Sequence, residues 1–139
     1  MASKGEALYL LAQRCATKMR SIISIEHEIA AAAGGTPDKE TVDRLENEKD
    51  QLLQSSTLEE LVAMRTVMIV GESERGRRLF PGTDNIEIIH LPIELSEHEL
   101  MEKYSRYLAF KTRDELFYVL SRRTDISICF REGMDILKL

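Results

Sequence analysis

The sequence predicts an α+β fold, in which an N-terminal antiparallel helical hairpin is followed by a small three- to four-stranded sheet packed with two helices. Apolar residues recur with a helical period near the N-terminus, whereas β-branched or alternating apolar runs begin at Thr66, Ile86 and Asp125. Three Ser or Thr residues, each followed three positions later by Glu, mark further helix starts. We therefore expect a helical hairpin over residues 1–56 and a compact α+β domain over residues 57–139.

Composition and charge exclude several classes of protein. The chain has 139 residues, of which 43% are hydrophobic and 31% charged, and its net charge is −5. This mixture excludes a disordered tail, a fibre and a disulfide-stapled miniprotein. The acidic balance disfavours nucleic-acid binding, which needs clustered cations. The sequence shows neither a membrane-spanning run nor a signal peptide, and Cys15 and Cys129 match no disulfide framework, so we expect a cytoplasmic protein with no membrane partner.

The first helix is expected from about residue 4 to residue 33. Its apolar stripe follows a heptad pattern, interrupted by Lys18. A hairpin of two helices leaves such a stripe uncovered, so we expect a second copy of the chain to cover part of it, as in a coiled coil. The expected oligomer interface consists of Leu8, Leu11, Cys15, Ile22, Ile25 and Ile29.

Local signals divide the rest of the chain into further elements. Gly34 and Gly35 end the first helix, and Thr36, Pro37 and Asp38 begin a second helix that reaches about Gln54. Capping boxes predict the starts of three more helices. These helices are expected from Thr57 to about Ala63, from Ser96 to about Phe110 and from Thr112 to about Arg122.

Three strands and one edge strand are expected between and after these helices. The β-branched run at residues 66–70 is typical of a buried strand, and Pro92 stops a second strand at residues 86–91. Residues 125–131 alternate between apolar and polar side chains, which predicts a third strand. A turn at residues 132–135 and an edge strand at residues 136–139 complete the expected sheet.

A glycine-containing stretch after the first expected strand is a candidate anion site. Its glycines have the spacing of a phosphate loop, but Arg77 and Arg78 stand where Lys and a magnesium-binding hydroxyl belong, and Glu72 and Glu74 repel phosphate. Nucleotide hydrolysis is therefore not expected, and the alternatives are a polar connecting loop or a turn that binds an anion. The candidate ligand-binding residues are Gly71, Ser73, Arg75, Gly76, Arg77 and Arg78.

Other reactive side chains do not form a motif of the required kind. A Cys129–His90 pair would provide a nucleophile and a base, but the sequence does not place the two together. His98 and Glu102 lie one helical turn apart, which is too few ligands for a metal centre. We therefore expect no catalytic residues, no metal and no cofactor.

Aromatic residues concentrate in the two helices after Ser96, with arginines beside them. Helical spacing favours a core role for Met101, Tyr104 and Leu108, and the alternative places one or two of the tyrosines at the mouth of a pocket.

These patterns favour a non-enzymatic, homo-oligomeric binding module. Its partners are expected to be a second copy of itself and either another protein or a small anionic ligand that it sequesters. The alternative is a domain that binds or processes a phosphate-bearing, nucleotide-like small molecule with the loop at residues 71–78.

Overall fold

A computed structural model gives the structure of the chain and describes residues 3–34, 38–74, 77–81, 86–90, 95–123 and 125–139. Nearly all of these residues are helical, and the expected α+β fold with a three- to four-stranded sheet is wrong. The helices are α1 (Lys4–Arg14), α2 (Ala16–Ala33), α3 (Lys39–Gln54), α4 (Leu58–Ser73), α5 (Glu97–Ser105), α6 (Arg113–Arg122) and α7 (Ile126–Leu137), with a single 3-10 turn at Arg106–Leu108.

Residues 66–70 are not a strand but the middle of α4. Val67, Met68 and Val70 have no exposed surface, because α1, α5, α6 and α7 all contact this helix. A helix that is surrounded in this way is apolar on every side, so its sequence carries no helical period. A short β-branched run is therefore ambiguous between a buried strand and a buried helix.

Residues 125–139, expected to form a strand, a turn and an edge strand, instead form α7 and its C-terminus. The buried positions are Ile126, Cys129, Phe130, Gly133, Met134 and Leu137. Their spacing is that of a helix face, and it extends beyond the seven residues over which the alternation was apparent. The prediction of a turn at residues 132–135 is wrong, because Gly133 lies inside α7 and packs against α4.

The strands among the described residues are β1 (Arg77–Pro81) and β2 (Ile86–His90). They form one antiparallel pair in which Arg77 lies opposite His90 and Pro81 lies opposite Ile86. The strand expected from Ile86 overlaps β2, but its neighbour is β1 and not a strand of a packed sheet.

The single long helix expected at the N-terminus is divided at Cys15, where α1 ends and α2 begins. The break lets α1 pack on α5 while α2 packs on α3 and α7. Lys18, the polar interruption of the stripe, donates a hydrogen bond of 2.8 Å to Ser56 Oγ. Together with the Lys49–Glu26 ion pair, this contact shows that α2 and α3 run antiparallel.

Helix starts follow the capping signals closely. Thr57 and Glu60 exchange side-chain-to-backbone hydrogen bonds of 2.9 and 3.1 Å at the start of α4, and Ser96 begins α5 in the same way. Thr112 caps α6. Asp38 is the N-cap of α3, two positions later than the cap expected at Thr36, and residues 35–37 lie outside the described part of the chain.

The expected oligomer stripe packs largely within its own chain. Cys15, Ile22 and Ile25 are buried, and Leu8, Leu11 and Ile29 are half-buried. The core is continuous across the expected domain boundary after residue 56, since Met19 and Met68 belong to the same cluster of buried side chains. Helices of the same chain thus supply the partners that the two-helix hairpin lacks.

Within the described ranges, no helix combines the length and the apolar character that crossing a membrane requires.

Candidate ligand cleft and aromatic face

A cleft of about 560 Å³ lies between α4, the 3-10 turn and α6, and we call it the α4–α6 cleft. Its apolar walls are formed by Ile69, Leu108, Leu116 and Val119. Cavities that bind small organic ligands have this size and this apolar character. The cleft is therefore large enough to hold a bicyclic molecule.

Tyr107 and Tyr118 line the cleft, and each is mostly exposed, at 68% and 64% of its surface. Phe110 follows Tyr107 by three residues and is 96% exposed. We call Tyr107, Phe110 and Tyr118 the aromatic face. The Arg122 guanidinium forms a cation–π contact with the Tyr118 ring, at 5.7 Å from the ring centroid. A Phe side chain is usually buried, so the exposure of Phe110 is unusual.

Basic residues lie close to Tyr107 and Phe110 in the sequence. The stretch from Lys103 to Arg113 contains four basic residues and no acidic residue, in a chain whose net charge is −5. Arg106 and Lys111 are exposed. Arg113 has a structural role instead, because its Nη2 donates to Gln54 O at 2.6 Å and to Ser56 O at 3.1 Å.

Arg65 lies at the inner wall of the cleft and belongs to a cluster of arginines and carboxylates. Its Nη1 is 3.6 Å from Glu72 Oε1, while Arg123 Nη1 lies closer to the same oxygen, at 2.7 Å. Arg123 also forms a two-pronged ion pair with Asp125, which lowers the pKa of that carboxyl to about 2. Arg65 is thus the weaker partner of Glu72, and burial lowers the pKa of its guanidinium.

Donor atoms of Glu72, Asp125 and Cys129 lie within 4.8 Å of one another, a set that could hold a metal ion. Arg123 already binds both carboxylates, so a cation would have to displace a guanidinium that is hydrogen-bonded at 2.9 and 3.0 Å. Burial and the two carboxylates also raise the pKa of the Cys129 thiol to about 12, which opposes formation of the thiolate ligand. The residues therefore fit an ion-pair cluster better than a metal centre.

The expected anion-binding loop begins later than the sequence suggested. Gly71 and Ser73 lie within α4, and a Cβ at Gly71 would overlap the backbone of Cys129 in α7. Gly71 therefore serves helix packing. Arg75 and Gly76 lie outside the described residues, and Arg77 and Arg78 form the first two positions of β1.

The remaining reactive candidates also have structural contacts. The His98 ring lies 5.0 Å from the ring of Tyr9, and Glu99 completes the cap of α5 with Ser96. Met101, Tyr104 and Leu108 are buried, which confirms the core role that their spacing predicted.

Both cysteines should resist alkylation in the native protein. Burial, with help from the nearby Glu60 carboxylate, raises the pKa of the Cys15 thiol to about 11, and the Cys129 thiol is higher still. At neutral pH both sulfurs are protonated and covered, so iodoacetamide should leave them unmodified by intact-mass measurement. The unfolded chain should react at both positions. Rapid labelling of either cysteine in the native state would contradict this placement.

One property of this site can be recognised in the sequence. The absence of acidic residues between Lys103 and Arg113 is visible in the sequence, but the exposure of Phe110 is not, because an apolar residue at the end of a helix is ordinarily assigned to the core. The position of Arg65 at the cleft could not be predicted from the sequence, since it depends on the packing of α4 against α6. Comparisons with protein-family models, with curated proteins and with solved structures find no match to this chain.

Proposed function

We propose that this chain is a non-enzymatic binding module that self-associates through the aromatic face. The observation that carries the proposal is the exposure of three large rings along one short stretch, with Phe110 at 96%. Aromatic side chains are enriched at protein interfaces compared with the rest of a protein surface. This surface replaces the helical stripe as the proposed contact, because Ile22 and Ile25 of that stripe are buried within the chain.

Charge indicates which surface of a second copy meets the aromatic face. The exposed cations Arg106 and Lys111 would repel each other if two aromatic faces met. The exposed residues of α3 have a net negative charge, with Glu40, Asp43, Glu46 and Glu48 against Lys39 and Arg44. We therefore propose a head-to-tail contact in which the aromatic face of one copy packs on α3 of the next.

The state of the two cysteines supports a cytoplasmic location as part of this proposal. Neither Cys15 nor Cys129 is in a disulfide, although both are placed in the structure. Free buried thiols are usual in a reducing compartment.

Self-association should be strongest in the wild-type chain and should weaken with added salt. Sedimentation velocity over a micromolar concentration series should show a rising mean mass, because the contact joins opposite charges around an apolar centre. In Phe110→Ser, the rise in mean mass should occur at about tenfold higher protein concentration or more, because a central aromatic side chain of the contact is lost.

Ile128→Thr is the matched control, since Ile128 is a large exposed apolar residue on α7, at 51% exposure, outside the aromatic face. It should leave the series unchanged. A wild-type chain that stays monomeric at every concentration would overturn the proposal, as would a Phe110→Ser series that matches the wild type.

A further inference from the structure

We infer that the α4–α6 cleft binds a small organic monoanion, with its apolar ring system between α4 and α6 and its single carboxylate at Arg65. The inference goes beyond self-association because it concerns a ligand inside the cleft, although Tyr107 and Tyr118 at the cleft mouth also belong to the aromatic face. It rests on three features of the cleft: its size and walls, the position of Arg65, and the charges at its mouth.

The walls select the body of the ligand. Ile69 from α4 and Leu116 and Val119 from α6 face a common volume of about 560 Å³. Water in such a space makes few hydrogen bonds to the walls, and an apolar ring that displaces it gains contact with all three side chains. A flat bicyclic ring matches both the volume and the tyrosine rings at the mouth.

Arg65 selects the charged group. Its side chain lines the cleft and is 16% exposed, and its covered Nη1 atom is in a long ion pair with Glu72. The nearest carboxylate, Glu72, is 3.6 Å away and is bound more closely by Arg123. A guanidinium that lines a cleft and is held by one long ion pair is suited to bind the planar carboxylate of a ligand.

The mouth of the cleft limits the charge of the ligand. Lys111 adds one cation, but Asp114 and Glu115 also line the cleft, and Lys111 Nζ lies 3.5 Å from Glu115 Oε2. Two acidic groups beside two basic groups would repel a polyphosphate while tolerating one negative charge. The site therefore favours a ring-bearing monocarboxylate over a nucleotide.

The test uses 2-naphthoate as the anionic probe and 2-naphthalenemethanol as its neutral analogue. Isothermal titration calorimetry should give one site per chain for 2-naphthoate and about tenfold weaker binding for the alcohol, the difference expected for one charge-assisted contact. Equal affinity for the two probes would overturn the role of Arg65. The absence of heat and of amide chemical-shift changes with 2-naphthoate would overturn the site.

Three variants and one control locate the binding. Val119→Phe fills the cleft and should abolish binding of both probes, whereas Arg65→Gln should remove only the preference for the anion. Lys111→Gln changes an exposed side chain, at 51% exposure, and therefore tests the same preference without a risk to folding. This variant should bind 2-naphthoate several-fold more weakly than the wild type does. Ile128→Thr, in the separate groove between α2 and α7, should bind both probes as the wild type does. Wild-type binding by a folded Val119→Phe variant, or an unchanged anion preference in Lys111→Gln, would contradict the assignment.

Discussion

Gly133→Ala should destabilise the chain by about 3 kcal/mol or more, the upper range for overpacking a close-packed interior. Helices α4 and α7 approach so closely at this point that a Cβ at Gly133 would overlap Val67 O and lie 2.9 Å from Val67 Cγ1. A carbonyl oxygen inside a helix cannot rotate away, so the two helices would have to separate. The measurement is the free energy of unfolding from urea titration, followed by circular dichroism.

Gly34→Ala is the control for the intrinsic effect of replacing glycine by alanine. At the end of α2, a Cβ would meet its nearest atoms at 3.5 and 3.6 Å, which is ordinary contact, and the backbone φ of −77° suits any residue. This variant should be neutral or more stable by up to about 1 kcal/mol, because it restricts the unfolded chain. Gly71→Ala should behave like Gly133→Ala, since its Cβ would lie 2.8 Å from Gly133 N. If Gly133→Ala is as stable as Gly34→Ala, the close approach of the two helices is contradicted.

Glu26→Ala should destabilise the chain by about 3–5 kcal/mol, the usual effect of leaving one member of a buried ion pair without its partner. Lys49 Nζ lies 2.7 Å from Glu26 Oε1, and the two side chains are only 7% and 15% exposed. The pair joins α2 to α3, and without the carboxylate the ammonium of Lys49 would remain largely out of water. Urea titration again gives the free energy of unfolding.

Replacing both partners separates the cost of a buried charge from the value of the pair. The double variant Glu26→Leu/Lys49→Met should recover most of the loss, because no charge remains to be desolvated. Lys138→Gln breaks an exposed pair, with Lys138 at 79% exposure and 3.2 Å from Glu97, and should change stability by less than about 1 kcal/mol. A double variant that is as unstable as Glu26→Ala would show that the pair, and not the isolated charge, carries the effect.

The sequence predicted helix starts more accurately than it predicted helix interiors. Thr57, Ser96 and Thr112 each cap the helix that was expected of them, because a capping hydrogen bond spans only three residues and is encoded locally. The α2–α3 hairpin was also predicted, with α2 ending at Gly34 as expected. The break at Cys15 was not, since it depends on where α1 meets α5.

The errors concentrate in α4 and α7, the two helices that form the centre of the molecule. A run such as Thr66–Val70 or Ile126–Phe130 favours a strand when it is considered alone. Helices on several sides bury such a run equally well, and the backbone hydrogen bonds of a helix satisfy its polar groups without any sheet. Propensity was therefore overridden by packing in both cases.

The candidate sites were partly readable from the sequence. The cationic stretch from Lys103 to Arg113 and its aromatic residues were visible, whereas the division into buried Tyr104 and exposed Tyr107 was not. The two rings stack with centroids 6.1 Å apart, so their different exposure depends on which distant segments cover each ring and not on their spacing in the sequence.

By itself, the sequence determined what depends on neighbouring residues: the caps, the end of α2 at Gly34, and the acidic total of the chain with its basic segment. The tertiary structure alone decided that α4 and α7 are helices, that the N-terminal stripe packs inside its own chain, and that Arg65 reaches a cleft. The physical reason is the distance along the chain over which each interaction acts. Hydrogen bonds at helix ends form within a few residues, whereas burial depends on which distant segment covers a surface.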